Sequence, residues 1–128
     1  MAVMRLRAAG RAEPEDVWLR YADPRRWPGW SPQIRAVHAD RERLSAGMSG
    51  EVVSVFGVTA VFVVESVDDA RWHWVWRVAV GPVRLRLSHR VLRRPGGSAT
   101  ELVVEGPAVA LAAYAAPARW ALGRLVRG

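Results

Sequence analysis

The middle of the chain is dominated by segments in which apolar and polar residues alternate. Alternation with a period of two residues is typical of β-strands that bury one face. Six such segments are predicted, at residues 34–38, 50–56, 58–67, 71–80, 83–93 and 99–106, and a weaker one at residues 4–8 precedes them. Typical turn residues separate most of them, namely Gly57, Asp68-Asp69, Gly81-Pro82 and Pro95-Gly96-Gly97. Connections this short predict an antiparallel meander.

Three helical segments lie outside the predicted sheet. Pro14-Glu15-Asp16 opens the first, because proline is favoured at a helix's first position and acidic residues in its first turn. Asp23-Pro24 begins a second short turn, which Pro28 ends. Residues 107–128 form the third, an amphipathic helix whose inner face carries Leu111, Tyr114, Ala118, Leu122 and Leu125. Pro117 lies inside this helix and predicts a kink or break near residues 113–116.

Tryptophan occupies every second position at Trp72, Trp74 and Trp76. On a strand these three side chains point to one face and form a ladder of indoles. Each indole is large and rigid and carries one N–H donor, so the ladder either fills a core or lines a pocket for flat, apolar ligands. Both interpretations remain open at this point.

Alternating charges predict which face of the sheet is buried. Arg84, Arg86 and Arg90 alternate with apolar residues, and Glu101 and Glu105 on the next strand can pair with them on a solvated face. The opposite face should then be buried. Its predicted lining is Ser54, Phe56, Phe62, Ser66, Trp72, Trp74, Trp76, Val78, Leu85, Leu87, His89, Thr100 and Leu102, with Leu111 and Tyr114 from the last helix.

Composition narrows the class of protein. A chain of 128 residues fits one domain, and we assign residues 1–128 to it. Cysteine is absent, which excludes disulfides and cysteine-ligated metals and fits a cytoplasmic location. No apolar stretch is long enough to span a bilayer. The three histidines lack metal-ligand spacing, and no nucleotide loop or nucleophile elbow is present, so neither a metal nor a cofactor is predicted.

The formal net charge is +7, yet all 19 basic residues are arginine, which indicates a coding bias as much as selection for phosphate contacts. Nucleic acid is not predicted as a partner, because no basic run is interleaved with stackable aromatic residues. Trp120 falls among Arg119, Arg124 and Arg127 on the outer side of the last helix. It should be exposed, cover another part of the fold, or contact a partner or a membrane surface, to which it would be attracted weakly.

His89 and Tyr114 are the candidate catalytic residues. An imidazole facing a cavity titrates near neutral pH and can move protons, whereas the alternative is a structural histidine bonded to a backbone carbonyl. Tyr114 either donates a hydrogen bond to a ligand carbonyl or packs with its hydroxyl in water. Trp18, Trp27 and Trp30 are interpreted as anchors of the two short helices against the sheet.

Several motifs along the chain carry a family resemblance. They are Pro14-Glu15-Asp16-Val17-Trp18, the stretch from Asp23-Pro24 through Trp27-Pro28-Gly29-Trp30-Ser31-Pro32, Gly47, Leu87-Ser88-His89, Gly97 through Thr100-Glu101-Leu102, and the last helix. With these motifs the chain resembles the START-like superfamily, also called SRPBCC, and in particular its small bacterial polyketide cyclase/dehydrase-like members. The resemblance covers nearly the whole chain.

This resemblance implies an α+β helix-grip fold, in which a curved antiparallel sheet of about seven strands wraps around a long C-terminal helix and encloses a hydrophobic tunnel. Two short helices would follow the first strand. The implied function is binding of a hydrophobic or aromatic small molecule, either polyketide-like or lipid-like. Alternatives are an aromatase/cyclase-like or dehydratase-like enzyme using the same cavity, and a docking module for a membrane surface or partner. The oligomeric state stays open.

Overall fold

Seven antiparallel strands form one sheet in the computed structural model, which describes residues 1–128. They are β1 (Ala2–Gly10), β2 (Ile34–Ala39), β3 (Ser49–Ser54), β4 (Thr59–Asp68), β5 (His73–Val80), β6 (Val83–Arg94) and β7 (Gly97–Gly106). The order across the sheet is β1-β7-β6-β5-β4-β3-β2. Consecutive strands from β2 to β7 are therefore neighbours, and β1 closes the far edge by pairing with β7 from Ala2↔Gly106 to Gly10↔Ser98. The predicted meander is confirmed.

Three α-helices complete the fold. Between β1 and β2 lie α1 (Pro14–Ala22), a 3-10 turn (Pro24–Arg26) and α2 (Trp27–Trp30), and α3 (Ala108–Leu125) follows β7. The Asp23 carboxylate accepts a hydrogen bond of 3.1 Å from the Arg25 backbone N–H, so Asp23 caps the short turn as predicted. None of the helices is long and apolar enough to cross a membrane.

Of the kink or break predicted near residues 113–116, the break is absent, because α3 is continuous over 18 residues with Pro117 inside it. A proline within a helix removes one backbone hydrogen bond. Burial of Leu111 before it and of Leu122 and Leu125 after it holds both halves of α3 in place. Packing therefore outweighs the local cost of the proline.

The core lies between the sheet and the helices. The sheet contributes Phe62, Val64, Trp74, Trp76, Leu87, Leu102 and Val104, α1 and α2 contribute Val17, Trp18, Tyr21 and Trp27, and α3 contributes Leu111, Ala118, Leu122 and Leu125. Gly10 permits the end of α3 to approach β1, because a Cβ atom there would lie 2.1 Å from the Val126 carbonyl oxygen. That oxygen accepts a hydrogen bond of 3.1 Å from the Ala12 backbone N–H.

A charged network covers the outer face of the sheet. Arg86 pairs with Glu105 on β7 at 3.1 Å and with Glu65 on β4 at 2.7 Å, and Arg77 pairs with the same Glu65 at 2.9 Å. Hydrogen bonds from Arg86 and Arg77 hold the pKa of Glu65 below its usual value. The predicted pairing of arginine and glutamate on a solvated face is confirmed by the Arg86–Glu105 pair.

Two predicted inward positions are wrong, and a third lies outside its predicted strand. Trp72 precedes β5 with a φ of 52°, and it is partly buried against the core but does not line the cavity. Phe56 lies in the turn after β3 ends at Ser54 and is 81% exposed. Ser66 is exposed because the register between β4 and β5 shifts between Val64 and Ser66. A bulge or turn reverses the sides that simple alternation assigns.

Candidate ligand-binding cavity

An apolar cavity of about 210 Å³ lies between the inner face of the sheet and α3. Of the 21 residues that line it, 17 are hydrophobic, and the other four are Ser31, Gln33, Ser54 and His89. The lining includes seven residues predicted from the sequence as ligand-binding: Trp74, Trp76, Leu85, Leu87, His89, Leu102 and Tyr114. Alternation on β5, β6 and β7 brings the strand residues to one face, and α3 places Tyr114 opposite them.

The other predicted ligand-binding residues do not line the cavity. Phe62 is buried in contact with Trp27 and Trp76, with ring centroids 5.9 and 5.3 Å away, so it lies behind the cavity wall. Thr100 and Leu111 are buried in the core at other places. The Arg93 guanidinium lies over the Trp72 ring, with its Cζ atom 5.7 Å from the ring centroid. Phe56 lies on the exposed β3–β4 turn. The ladder at the cavity therefore has two indoles.

Trp27 and Trp30 from α2 also line the cavity. The Trp27 indole N–H donates a hydrogen bond of 2.8 Å to the Tyr21 carbonyl oxygen of α1. Its ring stacks on Trp74 of β5, with centroids 5.8 Å apart and planes 28° from parallel, so Trp27 anchors α2 against the sheet as predicted. Trp74 in turn stacks on His89, with ring centroids 4.5 Å apart and planes 11° from parallel. Three aromatic rings from three elements thus form one side of the cavity.

His89 lies in a chain of buried hydrogen bonds. The Trp76 indole nitrogen is 3.1 Å from Nε2 of His89, and Nδ1 of His89 is 3.2 Å from the Tyr21 hydroxyl. The Tyr21 hydroxyl is 2.7 Å from Oγ1 of Thr100, which donates to the Arg90 carbonyl oxygen at 3.1 Å. The chain therefore connects β5, β6, α1 and β7.

The direction of every proton in this chain follows from its two ends. An indole N–H only donates, so Nε2 of His89 accepts and the proton of the neutral imidazole lies on Nδ1. His89 then donates to Tyr21. At the other end the Thr100 hydroxyl donates to a carbonyl, so its oxygen accepts from Tyr21. Each donor and acceptor role in the chain is filled, and the tautomer of His89 is determined.

This arrangement favours the structural interpretation of His89. Burial lowers the pKa of His89 to about 3, with a further contribution from the charge of His73, so the imidazole is neutral near pH 7. Burial also raises the pKa of Tyr21 above its usual range. Both ring nitrogens already have partners, although these are Trp76 and Tyr21 side chains and not the backbone carbonyl that we expected. A catalytic role for His89 stays a prediction that requires one of these bonds to break.

Other polar groups in the cavity wall are not committed to partners. Burial alone raises the pKa of Tyr114 to about 12, so its hydroxyl remains protonated and able to donate. Nε1 of Trp74 and Oε1 of Gln33 are buried without a hydrogen-bond partner. An unpartnered buried polar group costs about 1–3 kcal/mol, which a ligand with a matching polar atom could recover. No group of three or more His, Asp or Glu side chains is arranged to hold a metal ion.

Trp18 and Trp30 are the other two predicted anchors. The Trp30 indole N–H donates a hydrogen bond of 3.2 Å to the Arg20 carbonyl oxygen of α1. Trp18 donates a hydrogen bond of 3.0 Å to the Asp69 carboxylate in the turn between β4 and β5. It therefore fixes α1 against the sheet at a distance from the cavity. Trp120 is 60% exposed on α3, which is the first of the alternatives that the sequence left open for it. Binding of Trp120 to a membrane surface stays a prediction.

The fold and cavity define a class of proteins in which a curved antiparallel sheet grips a C-terminal helix around an apolar cavity. The chain belongs to the family described as polyketide cyclase/dehydrase and lipid transport, whose model matches residues 1–128. The resemblance to SRPBCC proteins noted from the sequence is thereby confirmed. No curated protein sequence matches the chain.

Solved structures share the fold at low sequence identity. XoxI from Bacillus cereus is 17% identical with a TM-score of 0.83, over 98% of this chain and 94% of XoxI. Ara h 8.0201 is 9% identical with a TM-score of 0.77, over 97% of this chain and 94% of its own. DynU16, from the dynemicin biosynthetic locus, is 20% identical with a TM-score of 0.77, over 96% of this chain and 45% of DynU16. At such identities the likeness shows the fold alone.

Proposed function

We propose that this protein binds one small apolar or aromatic molecule that carries a polar group, in the cavity between the sheet and α3. The single observation that supports this most is the lining itself, which is apolar at 17 of 21 positions and includes uncommitted polar groups. Ligand sites combine an apolar wall with a few polar groups that orient the ligand. Family membership supports a hydrophobic small molecule as the ligand class.

The size of the cavity limits the ligand. Its volume of about 210 Å³ is small for a ligand site, since drug-sized ligands occupy roughly 300–1,000 Å³. Dry cavities of about 150 Å³ in other proteins bind benzene. We infer that a molecule of one or two rings, or the end of a longer polyketide-like or lipid-like chain, fits inside.

Binding is proposed in preference to catalysis because of the hydrogen bonds at His89. Both of its nitrogens are occupied, at 3.1 and 3.2 Å, which leaves no free lone pair to accept a proton from a ligand. The family description includes cyclases and dehydrases, so acid/base catalysis remains the second candidate. In that case the protonated Tyr114 hydroxyl would polarise a ligand carbonyl, and proton transfer would need His89 to exchange its partner for the ligand.

A matched pair of substitutions in α3 tests the binding proposal. Ala121 lines the cavity and is buried, whereas Ala116 lies on the exposed side of the same helix. Ala121→Leu fills part of the cavity and should weaken binding of 1-naphthol by roughly tenfold or more, about 1.4 kcal/mol. Ala116→Leu should leave binding unchanged. Calorimetric titration measures both, and equal affinity in the two variants would place the ligand elsewhere.

A further inference from the structure

A second, polar pocket lies beside the apolar cavity, at the end of α3. It is an open cleft of about 350 Å³ lined by Arg20, Arg26, Arg124 and Arg127, together with Gly29, Trp30 and Gly128. We call it the arginine pocket. Only one of its seven lining residues, Trp30, is hydrophobic, and no Asp or Glu side chain takes part in the lining.

Two of the four arginines have structural roles that use only part of their donors. Arg20 Nη1 donates to the carbonyl oxygens of Leu125 and Arg127, at 2.6 and 2.9 Å, and so caps the end of α3. Arg124 Nη2 donates to the Gly29 carbonyl oxygen at 3.1 Å. A guanidinium carries five N–H donors. The Nε donor of Arg124 is buried without a partner, so Arg124 keeps donors that the structure does not use. Helix capping therefore accounts for part of this cluster.

Arg26 and Arg127 are exposed and form no salt bridge. Seven other arginines pair with a carboxylate, as in Arg7–Glu101 and Arg86–Glu105, but none of the four arginines of the pocket does. Asp23 lies within electrostatic range of Arg26, but its carboxylate is bonded to Arg25 at 3.1 Å. Like charges around one cleft repel each other, and an oxyanion between them would relieve that repulsion.

We propose that the arginine pocket binds an oxyanion, the phosphate or carboxylate group of a small molecule. Guanidinium groups match the planar, bidentate geometry of these anions. Trp30 forms part of the wall of both the arginine pocket and the apolar cavity, so the two sites share one indole. The anion is either a separate small ion or the acidic group of a ligand whose apolar part enters the cavity. The proposal does not depend on the function proposed for the cavity.

The test is titration with inorganic pyrophosphate at constant ionic strength, followed by calorimetry and by the resonance of the Trp30 indole N–H. That group donates a hydrogen bond of 3.2 Å to the Arg20 carbonyl oxygen and so reports on the pocket wall. Arg26→Gln combined with Arg127→Gln should weaken binding by about tenfold and leave the fold intact, because neither side chain donates a structural hydrogen bond. Arg5→Gln combined with Arg119→Gln removes the same charge from exposed positions outside the pocket and should change the affinity less than about twofold.

An equal loss in the two double variants, or no binding to the unaltered protein, would overturn the proposal. The pocket includes Gly128, so the titration is repeated on a chain lengthened by a Gly-Ser segment, which moves any terminal carboxylate away. Binding seen only in the lengthened chain would mean that the chain's own carboxylate fills the pocket, and would also overturn it.

Competition separates the two sources of the anion. If 1-naphthyl phosphate competes with both pyrophosphate and 1-naphthol, one ligand spans the two sites. If 1-naphthyl phosphate displaces pyrophosphate but leaves 1-naphthol bound, the anion is a separate ion, and both results support the proposal. Pyrophosphate binding without 1-naphthol binding would leave the arginine pocket in place and count against the function proposed for the cavity.

Discussion

The indole N–H of Trp76 donates a hydrogen bond of 3.1 Å to Nε2 of His89. This contact joins β5 to β6 inside the sheet and determines which nitrogen of His89 carries the proton. The imidazole of His89 thus accepts a hydrogen bond from Trp76 and donates one to the Tyr21 hydroxyl. Because both partners are buried, the chain stabilises the fold only while His89 is neutral.

Replacing His89 by leucine should lower the free energy of unfolding by roughly 2–4 kcal/mol. The leucine leaves the Trp76 N–H buried without a partner, which costs about 1–3 kcal/mol. It also removes the hydrogen bond to the Tyr21 hydroxyl, worth about 0.5–1.5 kcal/mol, although Tyr21 still donates to Thr100. Urea denaturation at pH 7 measures the loss. Ser88→Leu is a control on the same strand, next to His89 but on the other face. A loss no larger than that of the control would mean that the hydrogen-bond chain contributes nothing.

Stability should fall with decreasing pH because of His89. Its pKa is about 3 in the folded protein against 6.5 as the ordinary value, so the unfolded chain binds the proton more tightly. The stabilisation is complete above about pH 6.5 and is lost as the pH falls from there toward 3, by about 2–3 kcal/mol between pH 6.5 and 4.5. His89→Gln should remove this dependence.

His73 is the control for that measurement. Burial, with a smaller contribution from Arg90, lowers the pKa of His73, so it acts in the same direction. His73→Gln should retain most of the pH dependence because this side chain is only partly buried. Denaturation curves collected at several pH values compare the two variants. A pH dependence that disappears with His73 and persists without His89 would contradict this assignment.

Trp74→Ala should cost more stability than Trp30→Ala. Trp74 is 1% exposed and stacked between Trp27 and His89, so its removal should cost about 3–5 kcal/mol, as is typical of a packed core aromatic. Trp30 is half-buried at the boundary of two pockets. Denaturation without ligand tests the order. Trp74→Ala should also weaken 1-naphthol binding, because it removes part of the cavity wall.

At position 72, substitution by glycine should leave the protein more stable than substitution by alanine. Trp72 has a φ of 52°, a left-handed conformation that costs a residue with a Cβ about 1–2 kcal/mol, whereas glycine adopts it freely. Glycine also has a higher entropy in the unfolded chain, which offsets part of this gain. The free energy of unfolding of Trp72→Gly should therefore exceed that of Trp72→Ala by roughly 0.5–1 kcal/mol. At Val75, inside β5, the order of the two substitutions should be reversed.

Much of the architecture could be predicted from local patterns. Alternation from β3 to β7 indicated strands, their short turns indicated an antiparallel meander, and the arginines of β6 indicated the outer face. Alternation succeeds there because a strand's geometry places successive side chains on opposite faces regardless of what surrounds it. It fails at Phe56 and Ser66, where a turn or bulge changes the phase, and it places Trp72 in a strand that begins only at His73.

The sequence by itself determined the strands, the buried face and the position of His89 on it, since these depend on residues close together in the chain. Only the tertiary structure decided the partners of His89, because Tyr21 lies 68 residues away on α1 and nothing near either residue specifies their contact. The arginine pocket has the same origin. Arg20 and Arg127 are 107 positions apart, and they meet because packing of α3 against the sheet brings its end beside α1.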